Sequence, residues 1–421
     1  MSEGKSSGSA TWKFGAHNWG ESSPTVVDGT VYIGSGSGLY AIDAETGEQK
    51  WRTQIAGGVE TSPAVLNQVA YIGSENGTVY AIDVKDGEEL WSNSVSDQIR
   101  SSPSVLDETV YIGDSDGYLR ALDIDSGGEQ WAVKTGRDVK SSPVIVDNML
   151  YVGSNDGGLY AINIDEGRKQ WKFETGRSVT SSPTVSNGLL FVGSWDSNLY
   201  AVNAKTGSEE WSAKLAGPSH SSPTVVDRTV FASGYNKLSA YDVNSGAEKW
   251  THKASGQIRS SPTVAGDTLY VGSSDSQIYA IDTGTGNTDW RYRVTGKVLT
   301  SPIVVNGTLY VASESKDLHA LDTGHSKSSR DTRVLLAALG HHSVRTATDP
   351  AKVYRTIKRH LEAIGTDQDL SESKENEEIE EDEVMTDAEI MNCPNCSTDL
   401  SSFDSPKYCP KCAHQLPDYG D

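Results

Sequence analysis

Four cysteines carry the most specific chemistry in the chain. They all lie in the last 29 residues, as Cys393-Pro394-Asn395-Cys396 and Cys409-Pro410-Lys411-Cys412, with twelve residues between the pairs. Each C-x-x-C knuckle sets two thiolates on one side of a tight turn. Two knuckles complete the closed four-thiolate tetrahedron that Zn²⁺ takes in structural sites, at about 2.3 Å per bond. A module of about thirty residues has too small a core to fold unaided, so the metal supplies its folding free energy. With every ligand position filled by protein, no site remains open for Lewis-acid work. We expect a structural zinc ribbon over 392–417 with Cys393, Cys396, Cys409 and Cys412 as ligands. A dithiol redox pair or an iron centre is the alternative use of this spacing.

A second set of residues stands out because its frame repeats while it does not. Three residues before each of eight regularly spaced prolines stand Glu21, Glu60, Arg100, Lys140, Thr180, His220, Arg259 and Leu299. Variation confined to one slot is what a ring of binding side chains needs. Arg100, Lys140, His220 and Arg259 would fall together on one side of such a ring. The plain reading is a solvated rim, since loops are polar by default. The sharper reading is a rim that binds a ligand or peptide with a preference for acidic groups. No catalytic set accompanies it. The nine histidines are scattered, with only His341-His342 adjacent, and the serines belong to the repeat, so no Ser-His-Asp arrangement is suggested. Gly34-Ser35-Gly36-Ser37-Gly38 leads into a strand and lacks the helix N-terminus that binds phosphate.

The elements that must position this slot follow from the repeat. The prolines fall at 24, 63, 103, 143, 183, 223, 262 and 302, and tryptophans at 12, 51, 91, 131, 171, 211, 250 and 290, in steps of 39 or 40 residues. Each unit reads as four short strands. In the first, Pro24-Thr25-Val26-Val27 is a β-branched run, Asp28-Gly29 a two-residue hairpin signal, and Thr30-Val31-Tyr32-Ile33-Gly34 the next run. A Gly/Ser turn leads to Leu39-Tyr40-Ala41-Ile42, and Thr46-Gly47 turns the chain into the strand with Trp51. Units of about forty residues with four strands are propeller blades. Seven run complete from proline to tryptophan, while Trp12 precedes the first proline and no tryptophan follows Pro302. A linear array would leave open edges, so the Trp12 strand is expected to complete the last blade. The predicted fold is all-β: an eight-bladed β-propeller over 10–325 closed by the N-terminal strand, plus a short α-helical segment and the small zinc ribbon.

The segment Ala41-Ile42-Asp43-Ala44-Glu45-Thr46-Gly47-Glu48-Gln49-Lys50-Trp51 resembles the tryptophan-docking motif of the quinoprotein propellers, A-x-D-x-x-T-G-x-x-x-W. Ala280-Ile281-Asp282, Thr285-Gly286 and Trp290 keep it, and Ala201 to Trp211 keeps it with Asn203 for Asp. Other units relax the Thr to Asp86, Ser126, Glu166 or Ser245. The resemblance covers 12–324 and implies tryptophans stacked between blades. It also raises a pyrroloquinoline-quinone-dependent oxidoreductase. Such enzymes hold the quinone and calcium at the ring centre with long inserted loops, and many use an adjacent cysteine pair. Here every step is 39 or 40 residues and no cysteine precedes Cys393, so that cofactor is not expected. The chain also resembles the propeller lipoprotein of outer-membrane assembly, but without its lipid-attachment cysteine.

Beyond the ring, 327–365 reads as a basic helical hairpin. Asp331 to Gly340 forms one helix. Asp349-Pro350 starts a second, with Val353, Ile357, Leu361 and Ile364 on one face and Lys352, Arg355, Lys358 and Arg359 opposite. Residues 366–391 carry twelve carboxylates against the single base Lys374, the composition of a disordered linker. The net charge is -22. It argues against nucleic acid or an anionic membrane as a partner of the propeller, and leaves nucleic acid open for the ribbon. It resembles the acidic surfaces of salt-loving microbes, which would make the source a halophilic archaeon. No apolar run approaches the ~18 residues of a membrane span. The N-terminus Met1 to Ser9 has no signal-peptide pattern, and free thiolates suit a reducing compartment, so the expected location is cytoplasmic. The function these features imply is a non-catalytic interaction scaffold. Its propeller would bind a protein or ligand partner, and its ribbon would be a tethered docking module.

Cys409→Ser tests the ribbon. Metal analysis of the parent should give about one zinc per chain and of the variant much less. The C-terminal module should unfold in the variant while the propeller's melting transition stays in place. A parent purified without chelator that carried no zinc would contradict the ligand assignment.

Overall fold

The computed structural model describes residues 8–16, 21–314 and 317–329. Thirty-two strands, numbered β1 to β32 along the chain, form eight four-stranded antiparallel sheets, and no helix occurs among the described residues. The first blade shows how the sequence makes each one. β2 (Thr25–Val27), β3 (Thr30–Ser35), β4 (Gly38–Asp43) and β5 (Gln49–Gln54) lie side by side in that order. Asp28 and Gly29 both take positive φ, 46° and 66°, which gives the tight turn the twist that antiparallel strands require. At the next corner the Asp43 carboxylate accepts from the amides of Glu45 and Thr46, at 3.0 and 2.9 Å, and so shapes the D-x-x-T-G turn. The first strands of successive blades neighbour one another in a circle that ends where it began, with β30 (Ile303–Val305) against β2.

Closure is completed at the periphery. β1 (Ala10–Gly15) pairs antiparallel with β32 (Asp317–Asp322), Trp12 opposite Ala320, as the outer strand of the last blade. The unmatched Trp12 and unmatched Pro302 are therefore parts of one blade, whose sheet runs in the order β1-β32-β31-β30, where β31 is Thr308–Ala312.

Two repeated contacts join blade to blade. At the outer edge the Trp12 indole donates to Ala44 O in the next blade at 3.0 Å, and Trp51, Trp91, Trp131, Trp171, Trp211 and Trp250 repeat the bond at 2.8–3.1 Å. The ring lies over the glycine of the receiving turn. A Cβ on Gly47 would stand 2.6 Å from Trp12, so the Thr-Gly turn keeps a glycine both for its φ of 76° and for this approach. At the inner edge the serine before each repeat proline donates its amide to the hydroxyl of the same serine one blade on. The bond from Ser23 to Ser62 is 2.9 Å, and the eighth, from Ser301 back to Ser23, is also 2.9 Å. The six between them measure 2.9–3.1 Å, so the circle has no free end.

After β32 the chain turns inward. Gly307 N donates to Lys327 O at 3.1 Å, Asn306 N to Ser328 Oγ at 2.9 Å, and Ser329 N to Val304 O at 2.9 Å. Ser329 also bridges to Ala265 of the preceding blade. The exit thus lies as an added edge along β30, and Lys327 to Ser329 are not helical. The remainder of the expected hairpin (327–365), the acidic segment 366–391 and the ribbon 392–417 lie outside the described residues.

Three blades depart from the frame in their cores; in the sixth, a buried Ser239 takes the usual tyrosine position. In the third, Asp114 replaces the usual serine and Arg120 the usual tyrosine. The Arg120 Nε sits 2.6 Å from the fully buried Asp114 carboxylate, and Arg120 also pairs with Glu129. In the last, His319 takes the tyrosine position and is fully buried, with neither ring nitrogen hydrogen-bonded. Burial, with the Lys13 charge adding, pushes its pKa down to about 4. An unfolded histidine titrates near 6.5, so below that pH protons bind the unfolded chain preferentially. The contribution of this one histidine is full above pH ~6.5 and falls by up to about 3 kcal/mol as the pH drops towards 4. His319→Tyr, which cannot titrate there, should keep its melting temperature over this range better than the parent does. Curves for the two proteins that fell in parallel would contradict a neutral buried His319.

Candidate functional site

Each repeat proline fixes φ, disfavours helix in the residue before it and launches the innermost strand of its blade. The residue three places earlier therefore lies where the chain enters that strand, at one end of the central channel. Glu21, Glu60, Arg100, Lys140, Thr180, His220, Arg259 and Leu299, one from each blade, line a single cavity of about 320 Å³ there. Trp195 completes the wall. The exit segment at Ser329 lies towards the hairpin end of β30, the opposite end of the channel.

The charges of the mouth are largely paired with each other. The Arg100 guanidinium bonds Glu60 at 3.1 Å and Glu75 at 3.0 Å, and Arg259 bonds Glu21 at 2.8 Å. Lys140 forms no ion pair among the described residues and reaches Glu60 only through its field. The four basic residues are thus not equivalent. Two are tied to carboxylates, which the slot pattern alone did not show. The fourth, His220, has its pKa pushed down by burial and by the Arg259 charge, against Glu21, so it is neutral at neutral pH. Burial pushes Glu60 up, opposed by Arg100. Trp195 packs on His220, with ring centroids 4.8 Å apart and planes 56° apart, and its indole donates to Thr180 Oγ1 at 2.9 Å.

Glu75 and Trp195 belong to a second variable slot, the loop between the second and third strands of each blade. Glu75 of blade two meets Arg100 of blade three, and Trp195 of blade five meets His220 of blade six. Tyr235 occupies this slot in blade six and, like Trp195, is an exposed large aromatic, 56% and 37% accessible respectively. The signal that marks the first slot, change inside a constant frame, marks this one too, though its small or polar residues, such as Gly36, Ser115 and Ser274, look like ordinary turn residues.

A calcium-held quinone does not fit this donor set. Glu60 and Glu75 are engaged by Arg100 and Glu21 by Arg259, so no open set of carboxylates faces the cavity. Among the described residues no three His, Cys, Asp or Glu side chains converge as metal ligands. Cys393, Cys396, Cys409 and Cys412 lie outside the described residues. No described helix is long and apolar enough to cross a membrane.

An eight-bladed ring with tryptophan-docked turns defines the class of PQQ-like repeat propellers. The chain belongs to the family described as outer membrane protein assembly factor BamB, which matches residues 4–174, 156–233 and 196–334. No curated protein matches it. Among solved structures it is similar to BamB from Moraxella catarrhalis, with a TM-score of 0.67 and 19% identity over 75% of this chain and 99% of that one. The computationally designed Ika8 protein gives a TM-score of 0.63 and 16% identity over 75% and 98%. The quinohemoprotein alcohol dehydrogenase ADHIIG from Pseudomonas putida HK5 gives 0.64 and 16% over 76% of each chain. One fold thus serves an assembly factor, a designed protein and an enzyme, and function has to be argued from the site.

Proposed function

We propose that the protein is a non-catalytic interaction scaffold whose propeller docks a protein partner on the face that carries the cavity. The observation behind this reading is a single mouth lined by one variable residue from each of the eight blades together with Trp195. Its ions are largely paired with one another, and its aromatic side chains are presented outward. Aromatic anchors in a polar surround are what protein interfaces use. The family description as an assembly factor supports the same reading. The Cys393/Cys396/Cys409/Cys412 module would be a zinc-bearing second docking unit, and its thiolates favour a cytoplasmic setting. The competing reading is the quinone-dependent oxidoreductase, which rests on fold similarity alone.

Two measurements separate these readings. Pyrroloquinoline quinone with Ca²⁺, added to the full chain, should give neither saturable binding nor dye reduction with alcohols or sugars. The intact protein, cross-linked in extracts of its own cells, should capture a defined partner that Trp195→Ala releases without change in melting temperature. Robust quinone turnover, or equal capture by the variant, would overturn the scaffold reading.

A further inference from the structure

The cavity face is not electrically uniform, and its asymmetry points to the chemistry of what docks there. The loops that enter blades four and five each carry an arginine three residues before the lining residue: Arg137 before Lys140, and Arg177 before Thr180. Both arginines are exposed, and neither they nor Lys140 form an ion pair among the described residues. Elsewhere on this face cations are matched: Arg100 with Glu60 and Glu75, Arg259 with Glu21, and Lys297 with Glu314 at 3.5 Å. Blades four and five thus bring together three cations with no ion pair among the described residues, in a chain of net charge -22. The next loops round the ring carry Trp195, packed on His220, and Tyr235.

Tyr235 supplies an independent observation. Its φ is 55°, in the left-handed region that a bulky residue seldom adopts. The side chain this strained turn holds is 56% exposed, so its own burial does not compensate the strain. Gly36 takes the same φ, 53°, in the matching turn of blade one, so the turn needs the left-handed backbone and the fold itself does not ask for a tyrosine there.

We propose that this sector binds an acidic segment of a partner protein that also carries an aromatic residue, which deepens the scaffold reading and rests on it. Carboxylates of the segment meet Arg137, Lys140 and Arg177, and its ring lies against Trp195 and Tyr235. A short segment suits the surroundings. The cationic sector spans only neighbouring blades, and a long polyanion would overrun it onto an acidic molecule that repels it.

The probe is acetyl-Asp-Glu-Phe-Asp-Glu-Glu-amide, titrated calorimetrically into the full chain at low and high salt. It should bind saturably and more weakly as salt rises. Arg137→Glu combined with Arg177→Glu should weaken it at least about tenfold, and Trp195→Ala by a similar factor, with melting temperatures unchanged. Tyr235→Asn gives the readout a merely structural residue would not. Asparagine tolerates left-handed φ, so this variant should be at least as stable as the parent yet bind the peptide more weakly. The same peptide with lysine at every acidic position should not bind. Absence of saturable binding, or equal binding by the charge-reversed variant, overturns the acidic assignment. So does tighter binding of an RNA oligonucleotide of equal charge that the same variants abolish. If the peptide fails while Trp195→Ala still releases a captured partner, the scaffold stands and only the partner's chemistry is wrong. If neither effect appears, both fall.

Discussion

Everything in this molecule depends on closing a ring whose units cannot stand open. A blade's innermost strand is only three residues long, and those of the first and last blades gain a neighbour on both sides only when the circle is complete. The circle of serine amides and serine hydroxyls expresses that constraint. Each bond contributes a net ~1 kcal/mol at most sites, but a buried amide left without its acceptor costs more than the bond returns. The final bond, from Ser301 to Ser23, spans nearly the whole propeller and forms only when the first and last blades meet. The β1–β32 pairing makes the same join at the rim and removes an unpaired edge that could recruit other chains.

Rigid repetition also creates the site. Serines, prolines, tryptophans and turn glycines recur because each is committed to a contact with the next blade or to a fixed turn. Positions between those contacts are free to vary without cost to closure, and one from every blade opens onto the same end of the channel. The result is a collar of independent side chains on a fixed frame, where aromatic groups and charges can change without moving the backbone. Internal departures are accommodated in compensated ways. The buried Asp114 faces Arg120, whereas His319 is accommodated by remaining neutral.

Much of this was legible in the amino-acid order because the controlling interactions are local or periodic. Asp28-Gly29 announces its hairpin and Thr46-Gly47 its turn, and the unmatched Trp12 and Pro302 imply a shared blade by their positions in the repeat alone. The eight lining residues could be picked out by the same periodicity. What could not be read were contacts between residues far apart in the chain. Nothing local shows that Arg259 is neutralised by Glu21, that Trp195 leans on His220, or that the serine before each proline reaches its counterpart a blade away. The docking of Ser329 along β30 is hidden for the same reason: from the sequence Lys327 to Ser329 read as the start of the basic hairpin, and the partner, Val304, lies 25 residues back.

Amide hydrogen exchange of the full chain, resolved by peptide fragment, tests the account most directly, because a ring joined at every blade must open as a unit. Fragments containing β1, the last blade and the serines before all eight prolines should exchange with one common free energy, equal to that of global unfolding. If β1 and the last blade opened at a clearly lower free energy than the middle blades, with those blades still protected, closure would not be the interaction on which the rest depends.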